Sequence, residues 1–167
     1  MFQTLQVVTV ALVSIAMALS LAHAFELPGK LRLDRDAYLA IQSIYYPGFT
    51  FGGGSEPLGV LATLVLLMST PTGTLAFWLT FAALLALAAM HAIFWLITQP
   101  VNKFWVAGEK LGDMSARFFS VNAARSGNAA IPDWTVLRDR WEYSHLARAA
   151  LAAGAFILLV VSLTLCP

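Results

Sequence analysis

The chain has few charged residues. Asp, Glu, Lys and Arg make up 11% of its 167 residues, whereas 59% are hydrophobic and the mean hydropathy is +0.76. Soluble domains carry about 25% charged residues, so this composition excludes an ordinary soluble protein. It favours a single membrane domain, residues 1–167, with several spans in the lipid bilayer. The net charge of +1 gives no indication of a nucleic-acid partner, and none is expected.

Cysteine and phosphate-binding signatures are also scarce. The single cysteine, Cys166, lies beside the C-terminus, which excludes an intrachain disulfide and a CxxC metal or redox pair. The glycine-rich stretch 48–54 has no Gly-Lys-Ser/Thr sequence and follows no strand. It is therefore interpreted as a flexible or re-entrant connector rather than a phosphate-binding loop.

Four apolar segments are present, and they predict helices over about 3–25, 56–70, 74–98 and 133–165. A bilayer core about 30 Å thick is crossed by about 20 helical residues. The first segment ends in SLAHA, which imitates a signal-peptidase site, but no Lys or Arg precedes it, so a retained transmembrane helix is expected. The second is short and would need part of the glycine stretch. We therefore predict an all-α membrane protein with a four-transmembrane-helix bundle.

The connections between the spans differ in character. The first is expected to contain a short interfacial helix, about 34–46, capped by Asp34 and carrying its tyrosines at headgroup level. The third, about 99–132, is polar, and Gln99-Pro100 is expected to kink or end the third helix. Ser55, Glu56 and Pro57 resemble a helix start.

Positive charge is distributed asymmetrically. The first and third connections hold nearly all of it, in Lys30, Arg32, Arg35, Lys103, Lys110, Arg117, Arg125, Arg138 and Arg140. Cytoplasmic loops are enriched in Lys and Arg. We therefore expect a multi-pass cell (inner) membrane protein with both termini outside, cytoplasmic first and third connections, and a long fourth helix that begins in the cytoplasm.

The polar half of the fourth helix carries an unusual face. Residues at spacings of three and four share one side: Trp134, Arg138, Trp141, Glu142, His145 and Arg148. Arg148 lies one turn beyond His145, where the helix continues into lipid, so it needs a partner, for which Glu26 or a bound anion is suitable. The three histidines of the chain, His23, His91 and His145, are all expected near one end of the bundle.

These histidines suggest a metal site as one hypothesis. His23 with Glu26, and Glu142 with His145, are spaced three apart, which lets a carboxylate and an imidazole meet one ion. The set His23, Glu26, His91 and His145 would suffice for one Fe, Cu or Zn ion, but the carboxylates are too few for a di-iron centre. Purely structural explanations of these residues stay open. His23 would lie at the headgroup boundary, His91 would be packed in the bundle, and Glu142 would pair with Arg138. The tryptophans would be anchors at the membrane interface.

Three stretches resemble one known family. RWEYSHLARAALAAGAF at the start of helix four, AHAFELPGK in helix one and QPVNKFW after helix three are similar to recurrent stretches of the anthrone oxygenase-like four-helix membrane family. That family is largely a domain of unknown function. Its better-known members oxidise anthrones to anthraquinones with O2, some without a classical cofactor. By position, the resemblance implies functional roles for Asn102, Trp141, His145, Arg148 and His23.

The resemblance implies an oxygenase acting on a small lipophilic aromatic, anthrone- or quinol-like. In this hypothesis His145 is the general base, tuned by Glu142 or Glu26, and Arg148 and Asn102 stabilise the enolate oxygen. The aromatic walls would be Trp141, Tyr45 and Phe104. The cofactor is either none or one transition-metal ion.

Two other functional classes stay open. One is a haem protein with two of the histidines as axial ligands, which is the less favoured cofactor. The other is a non-catalytic accessory subunit of a larger membrane complex, or a homo-oligomer, whose Arg/Trp face docks a partner or lipid headgroups. A proton-coupled transporter is disfavoured because no carboxylate is predicted in the middle of a span.

Overall fold

The structure, a computed structural model, describes residues 1–105 and 133–165. No β-strand occurs in either range, and the helices are, in chain order, α1 (Phe2–Lys30), α2 (Arg35–Gln42), a 3₁₀ turn (Ser43–Tyr45), α3 (Gly48–Gly53), α4 (Ser55–Ser69), α5 (Leu75–Ile93), a π-helical turn (Phe94–Thr98), α6 (Gln99–Trp105) and α7 (Trp134–Thr164). Cys166 and residues 106–132 of the predicted polar connection lie outside the described residues.

Four helical stretches are long and apolar enough to cross a membrane: Phe2–Lys30, Gly48–Ser69, Leu75–Asn102 and Trp134–Thr164. For the described residues, the predictions of an all-helical fold and of four apolar helices long enough to cross a membrane are thus confirmed. α4 and α7 each pack against both α1 and α5, which closes a four-helix ring. We call the end of the bundle where α1 ends, α4 begins and α5 ends the histidine end.

The glycine-rich stretch is helical rather than an open connector. Only Gly54 separates α3 from α4, so the second span runs over Gly48–Ser69. A Cβ at Gly52 would lie 2.7 Å from Leu19 Cδ1, so glycine lets α3 lie directly against α1. This longer helix places Glu56 inside the span instead of at its start. A transporter was disfavoured because no carboxylate was predicted in the middle of a span, and the position of Glu56 within Gly48–Ser69 removes that premise.

α1 continues past the expected stop at residue 25 and includes Pro28. Proline removes one helical hydrogen bond, but Lys30 Nζ, four residues after Glu26, lies 2.9 Å from its carboxylate and 3.6 Å from that of Glu142 on α7. The Leu31 N–H also donates to the Leu27 carbonyl. These contacts hold the last turn helical beyond the proline.

Pro100 neither breaks nor ends the third span. Because it has no N–H, the Leu96 carbonyl four residues earlier loses its helical donor, and the chain accommodates this with the π-helical turn directly before α6. Arg140 Nη2 on α7 lies 3.4 Å from that Leu96 carbonyl. The Arg140 side chain on the neighbouring helix therefore replaces the hydrogen-bond donor that proline lacks.

α7 presents one continuous buried face to the bundle. Small residues in its apolar half, Ala149, Ala152 and Ala155, are at most 2% exposed and allow close approach of α1 and α5. Two hydroxyl contacts join α5 and its π turn to α7: Thr80 Oγ1 to Ser162 Oγ at 2.9 Å and Thr98 Oγ1 to Ser144 Oγ at 2.8 Å. They lie at opposite ends and fix the two helices as antiparallel.

The segment after α1 packs on protein rather than presenting its tyrosines outward. Asp34 Oδ1 accepts from the Ala37 N–H at 2.9 Å, so the predicted cap is confirmed. Tyr38 and Tyr45 are buried in a cluster with Val101, Leu137 and Trp141, whereas Ile44 is exposed. Their hydroxyls meet the carboxylates of Glu26 on α1 and Glu142 on α7, so both rings are packed within the protein.

Candidate functional site at the histidine end of the bundle

A cavity of about 340 Å³ lies at the histidine end. Its wall combines aromatic rings with the chain's three histidines, and the lining residues are Ala16, Leu19, Ser20, His23, Tyr45, Tyr46, Phe49, Thr50, Gly53, Gly54, Glu56, Pro57, His91, Phe94, Trp95, Asn102, Trp141, His145 and Arg148. Apolar clefts with a few converging polar groups are the usual form of small-molecule sites. This cavity is therefore the candidate functional site.

Arg148 finds its partner on α4. Its Nη2 donates to Glu56 Oε2 at 2.6 Å, and both side chains are buried, at 10% and 6% exposed. The expectation that Glu26 or a bound anion would pair with Arg148 is corrected accordingly, because the helical glycine stretch brings Glu56 to the depth of the arginine. Arg148 Nε is buried and has no hydrogen-bond partner among the described residues.

His91 is fixed by two hydrogen bonds. Trp95 Nε1, which can only donate, lies 3.0 Å from His91 Nε2, so that nitrogen is the acceptor. His91 Nδ1 then carries the proton and donates to Glu56 Oε1 at 3.0 Å. Both ring nitrogens are therefore committed, and Trp95, His91, Glu56 and Arg148 form one hydrogen-bonded chain across α4, α5 and α7.

His145 has one committed nitrogen and one available one. Its Nδ1 lies 3.0 Å from the Trp141 carbonyl, an acceptor only, so Nδ1 carries the proton. Nε2 has a lone pair and makes no hydrogen bond to any residue in the described ranges. His145 is only 4% exposed and lines the cavity. This is the arrangement of an imidazole base held by its own helix.

Trp141 is held against His145 by Asn102. Its Nε1 donates to Asn102 Oδ1 at 2.7 Å, and its ring centroid lies 4.0 Å from that of His145. Asn102 Nδ2 in turn donates to Gln99 Oε1 at 3.2 Å. Asn102 therefore orients the Trp141 ring in the cavity wall, and its Oδ1 is already occupied by the Trp141 N–H.

His23 completes the aromatic end of the cavity. Its ring centroid lies 4.2 Å from that of His145 and between 4.6 and 5.0 Å from those of Tyr45, Phe49 and Trp141. His23 Nδ1 has no hydrogen-bond partner in the described part of the chain. The nearest carboxylate oxygen, Glu26 Oε2, is 3.9 Å away.

A buried charge cluster lies behind these rings. Lys30 is 3% exposed and joins Glu26 to Glu142, while Tyr38 donates to Glu142 Oε1 at 2.9 Å and Tyr45 donates to Glu26 Oε2. Lys30 Nζ also lies 4.7 Å and 4.9 Å above the rings of Tyr45 and Trp141. Glu142 is therefore not a surface partner of Arg138, which instead pairs with Asp139 at 2.7 Å.

Replacing Tyr38 with phenylalanine is expected to destabilise the protein by about 1–3 kcal/mol, because the buried Glu142 carboxylate loses a hydrogen bond and gains none. Tyr143→Phe is the matched control, since Tyr143 lies on the same helix turn as Glu142 and is 55% exposed. Unfolding curves in mixed micelles measure the difference. Equal stability of the two variants would contradict the role of this hydroxyl.

Burial changes the acidity of the tyrosines in the first connection. It raises the pKa of Tyr46 to about 12. It is also the largest cause of the raised pKa values of Tyr38 and Tyr45, with the carboxylates Glu142 and Glu26 adding to it. A raised folded pKa favours the neutral form, so this contribution to stability is complete below pH 10 and is lost as pH rises further.

We therefore expect the protein to lose stability between pH 10 and pH 12, the ordinary and folded pKa values of Tyr46. Tyr46→Phe should flatten this decline, because phenylalanine cannot ionise in the unfolded chain. Thermal melting at a series of alkaline pH values tests it. Identical slopes for the wild type and the variant would show that Tyr46 does not contribute.

The proposed metal set does not come together. Among residues 1–105 and 133–165 no group of three or more His, Cys, Asp or Glu side chains could hold an ion. Both nitrogens of His91 are bonded elsewhere, and Glu26 is held by Lys30 and Tyr45. A centre built from His23, Glu26, His91 and His145 does not fit this geometry.

Axial haem ligation does not fit His23 and His145 either. Two axial imidazoles lie on opposite faces of the macrocycle, whereas these ring centroids are 4.2 Å apart. No macrocycle fits between them. The third histidine has no nitrogen to offer without breaking its bonds to Trp95 and Glu56.

The other predicted residues divide between the cavity and its surroundings. Tyr45, Trp141, His145, Arg148 and Asn102 line the cavity. Glu142 lies behind it, and Phe104, which is 36% exposed, is outside its wall.

The sequence pattern indicates no role in the site for Trp95, Phe49 or Glu56. It marks Lys30 only as one of the positive charges of the first connection. For Glu56 a signal was present, because extending the second span through the glycines would have marked an intramembrane carboxylate.

No protein-family profile, curated protein or solved structure matches the chain.

Proposed function

We propose that the chain is a membrane oxidoreductase that takes a flat, lipophilic aromatic substrate, anthrone- or quinol-like, into the cavity and removes a proton from it at His145. The observation that carries the proposal is the state of His145. Its Nδ1–H is bound to the Trp141 carbonyl, so Nε2 is a free base beside an aromatic-walled cavity.

The arginine beside the base supports the same chemistry. Deprotonating an anthrone-type carbon acid places negative charge on the carbonyl oxygen as an enolate. Arg148 keeps its Nε unpaired while Glu56 holds its Nη2, so a fixed cation is available to stabilise that oxygen. Arg148 also lies over the Phe94 ring, with its Cζ 5.0 Å from the ring centroid. Asn102 acts indirectly by orienting Trp141.

The substrate would enter from the lipid. Pro57 and Trp95 both line the cavity and are both exposed on the surface of membrane-spanning helices. A planar hydrophobic compound dissolved in the bilayer would therefore reach the site without passing through water. The positive charges of the connections support an orientation in which this end of the bundle faces the cytoplasm.

The reaction balances with O2 as the oxidant. His145 Nε2 takes the proton as the substrate C–H bond breaks, and the enolate is then oxidised by O2. Overall, one anthrone and one O2 give one anthraquinone and one water. In this scheme the chain's own residues bind, deprotonate and stabilise, and the anthrone-type family resemblance supplies the substrate class.

The test is oxidation of anthrone by the purified protein in lipid nanodiscs. We expect anthraquinone to form faster than in empty nanodiscs, with one O2 consumed per product, as followed by absorbance and an oxygen electrode. Leu146→Ala, which alters an exposed neighbour of His145 outside the cavity, should behave like the wild type. A wild type no faster than empty nanodiscs would contradict the proposal and favour the accessory-subunit alternative.

A further inference from the structure

We propose that Glu26 is the proton-transfer residue that connects the buried His23–His145 pair to solvent. The inference rests on the proposed function for its purpose, since each turnover leaves a proton on His145. His145 is 4% exposed and His23 is 6% exposed. A proton held there needs a defined route out before the base can act again.

The first link of the route is the contact between the two imidazoles. Their ring centroids are 4.2 Å apart with the planes at 61°. His145 Nδ1 is occupied by the Trp141 carbonyl, so the proton taken by Nε2 must leave from Nε2. His23 lies on the cavity wall in contact with this ring, so we assign it as the next proton carrier.

The second link is His23 Nδ1 to Glu26 Oε2. The nitrogen is buried and has no partner in the described part of the chain, and the carboxylate oxygen is 3.9 Å away. That separation exceeds a direct hydrogen bond and suits a single bridging water or a small side-chain movement. An unpartnered imidazole nitrogen beside a carboxylate is otherwise difficult to explain in a buried position.

Glu26 rather than Glu142 is the exit. Both carboxylates contact Lys30, but the Glu142 side chain is 0% exposed whereas that of Glu26 is 39% exposed. Lys30 Nζ at 2.9 Å and the Tyr45 hydroxyl hold the Glu26 carboxylate in place. The Glu26 oxygen nearest His23, Oε2, is the same oxygen that Lys30 and Tyr45 contact, and the Glu26 side chain reaches the surface.

Each transfer balances. The substrate C–H bond breaks and His145 Nε2 gains the proton. His23 accepts it on one ring nitrogen and releases a proton from Nδ1 to Glu26 Oε2, and Glu26 releases it to water. The enolate and O2 then give anthraquinone and one hydroxide ion. The proton that Glu26 releases converts this hydroxide to water, so the protein ends each turnover with no net change in charge.

The route can be tested without turnover. In protein labelled with ¹⁵N in the histidine rings and placed in lipid nanodiscs, NMR measures how fast the His23 ring proton exchanges with water. We expect Glu26→Gln, which keeps size and polarity, to slow this exchange about tenfold or more, a typical loss for a missing proton-transfer group. Glu26→Asp, which keeps a carboxylate, should exchange faster than Glu26→Gln.

The matched control is Asp36→Asn, because Asp36 is a nearby carboxylate with its side chain 93% exposed and away from the cavity. It should leave the His23 exchange unchanged. Circular dichroism checks that each variant is folded. Wild-type exchange rates in a folded Glu26→Gln protein would overturn the route.

Turnover then tests whether the route serves the reaction. With anthrone as the probe, Glu26→Gln should lower kcat about tenfold in dilute buffer at unchanged KM, and added imidazole buffer should restore it. An unchanged kcat would overturn the assignment even if exchange slows. If the wild type does not oxidise anthrone at all, the proposed function fails, whereas the exchange measurement still decides whether Glu26 links the histidines to solvent.

Discussion

Arg148→Ala is expected to destabilise the folded protein by about 3–5 kcal/mol, because it leaves a buried carboxylate without its cation. Glu56 is 5% exposed and lies within a membrane-spanning helix. The 2.6 Å contact with Arg148 joins α4 to α7, a pair of helices on opposite sides of the four-helix ring. Its loss therefore removes both charge compensation and the connection across the bundle.

The double variant separates these effects. Glu56→Gln alone should also destabilise the protein, since it leaves a buried guanidinium. Arg148→Ala with Glu56→Gln removes both charges and should cost less than the two single changes added together. Unfolding in mixed micelles of increasing denaturing-detergent content measures all four proteins. Additive effects would show that the two side chains do not stabilise the bundle as a pair.

His145→Ala is expected to lower kcat for anthrone oxidation by about 10²–10⁴, the usual contribution of a positioned general base. His91 cannot replace it, because both of its ring nitrogens are engaged by Trp95 and Glu56. His145→Gln fills the space without a basic nitrogen, so it should be equally impaired. Added imidazole should partly restore only the alanine variant, where a cavity remains.

The measurement is initial rate against pH for the wild type, both His145 variants and Leu146→Ala. The leucine variant shows whether disturbing this turn of α7 matters by itself. Retention of the wild-type kcat in His145→Ala would remove His145 from the chemistry, whichever other residues bind the substrate.

The fold was largely predictable because four long apolar segments in a chain with little charge have few alternatives to four spans. The predictions that differ from the structure concern proline and glycine, whose local preference against helix is outweighed here by contacts with other helices. Gln99-Pro100 predicts a kink or an end of the third helix, but the helix continues, because Arg140 on α7 donates to the Leu96 carbonyl that the proline leaves without a donor. The Gly48–Gly53 stretch was read as a connector, although glycine is what lets the helix lie against α1.

The site was predictable only in part. Spacing put Trp141, His145 and Arg148 on one face, and they do share the cavity wall. Spacing within one helix cannot identify partners on another, so it predicts Glu26 or a bound anion for Arg148, whereas the partner is Glu56. The same limit produced the metal hypothesis. Two Glu/His pairs three residues apart do not reveal that Lys30 and two tyrosines already occupy the carboxylates.

The most direct test of the account is anaerobic hydrogen exchange at the acidic carbon of anthrone in D2O. It isolates proton removal from every later step with O2. The account predicts that the wild type in nanodiscs accelerates deuterium incorporation over empty nanodiscs, that Leu146→Ala does the same, and that His145→Ala does not. Acceleration that survives in His145→Ala, or a wild type no faster than lipid alone, would contradict His145 as the base.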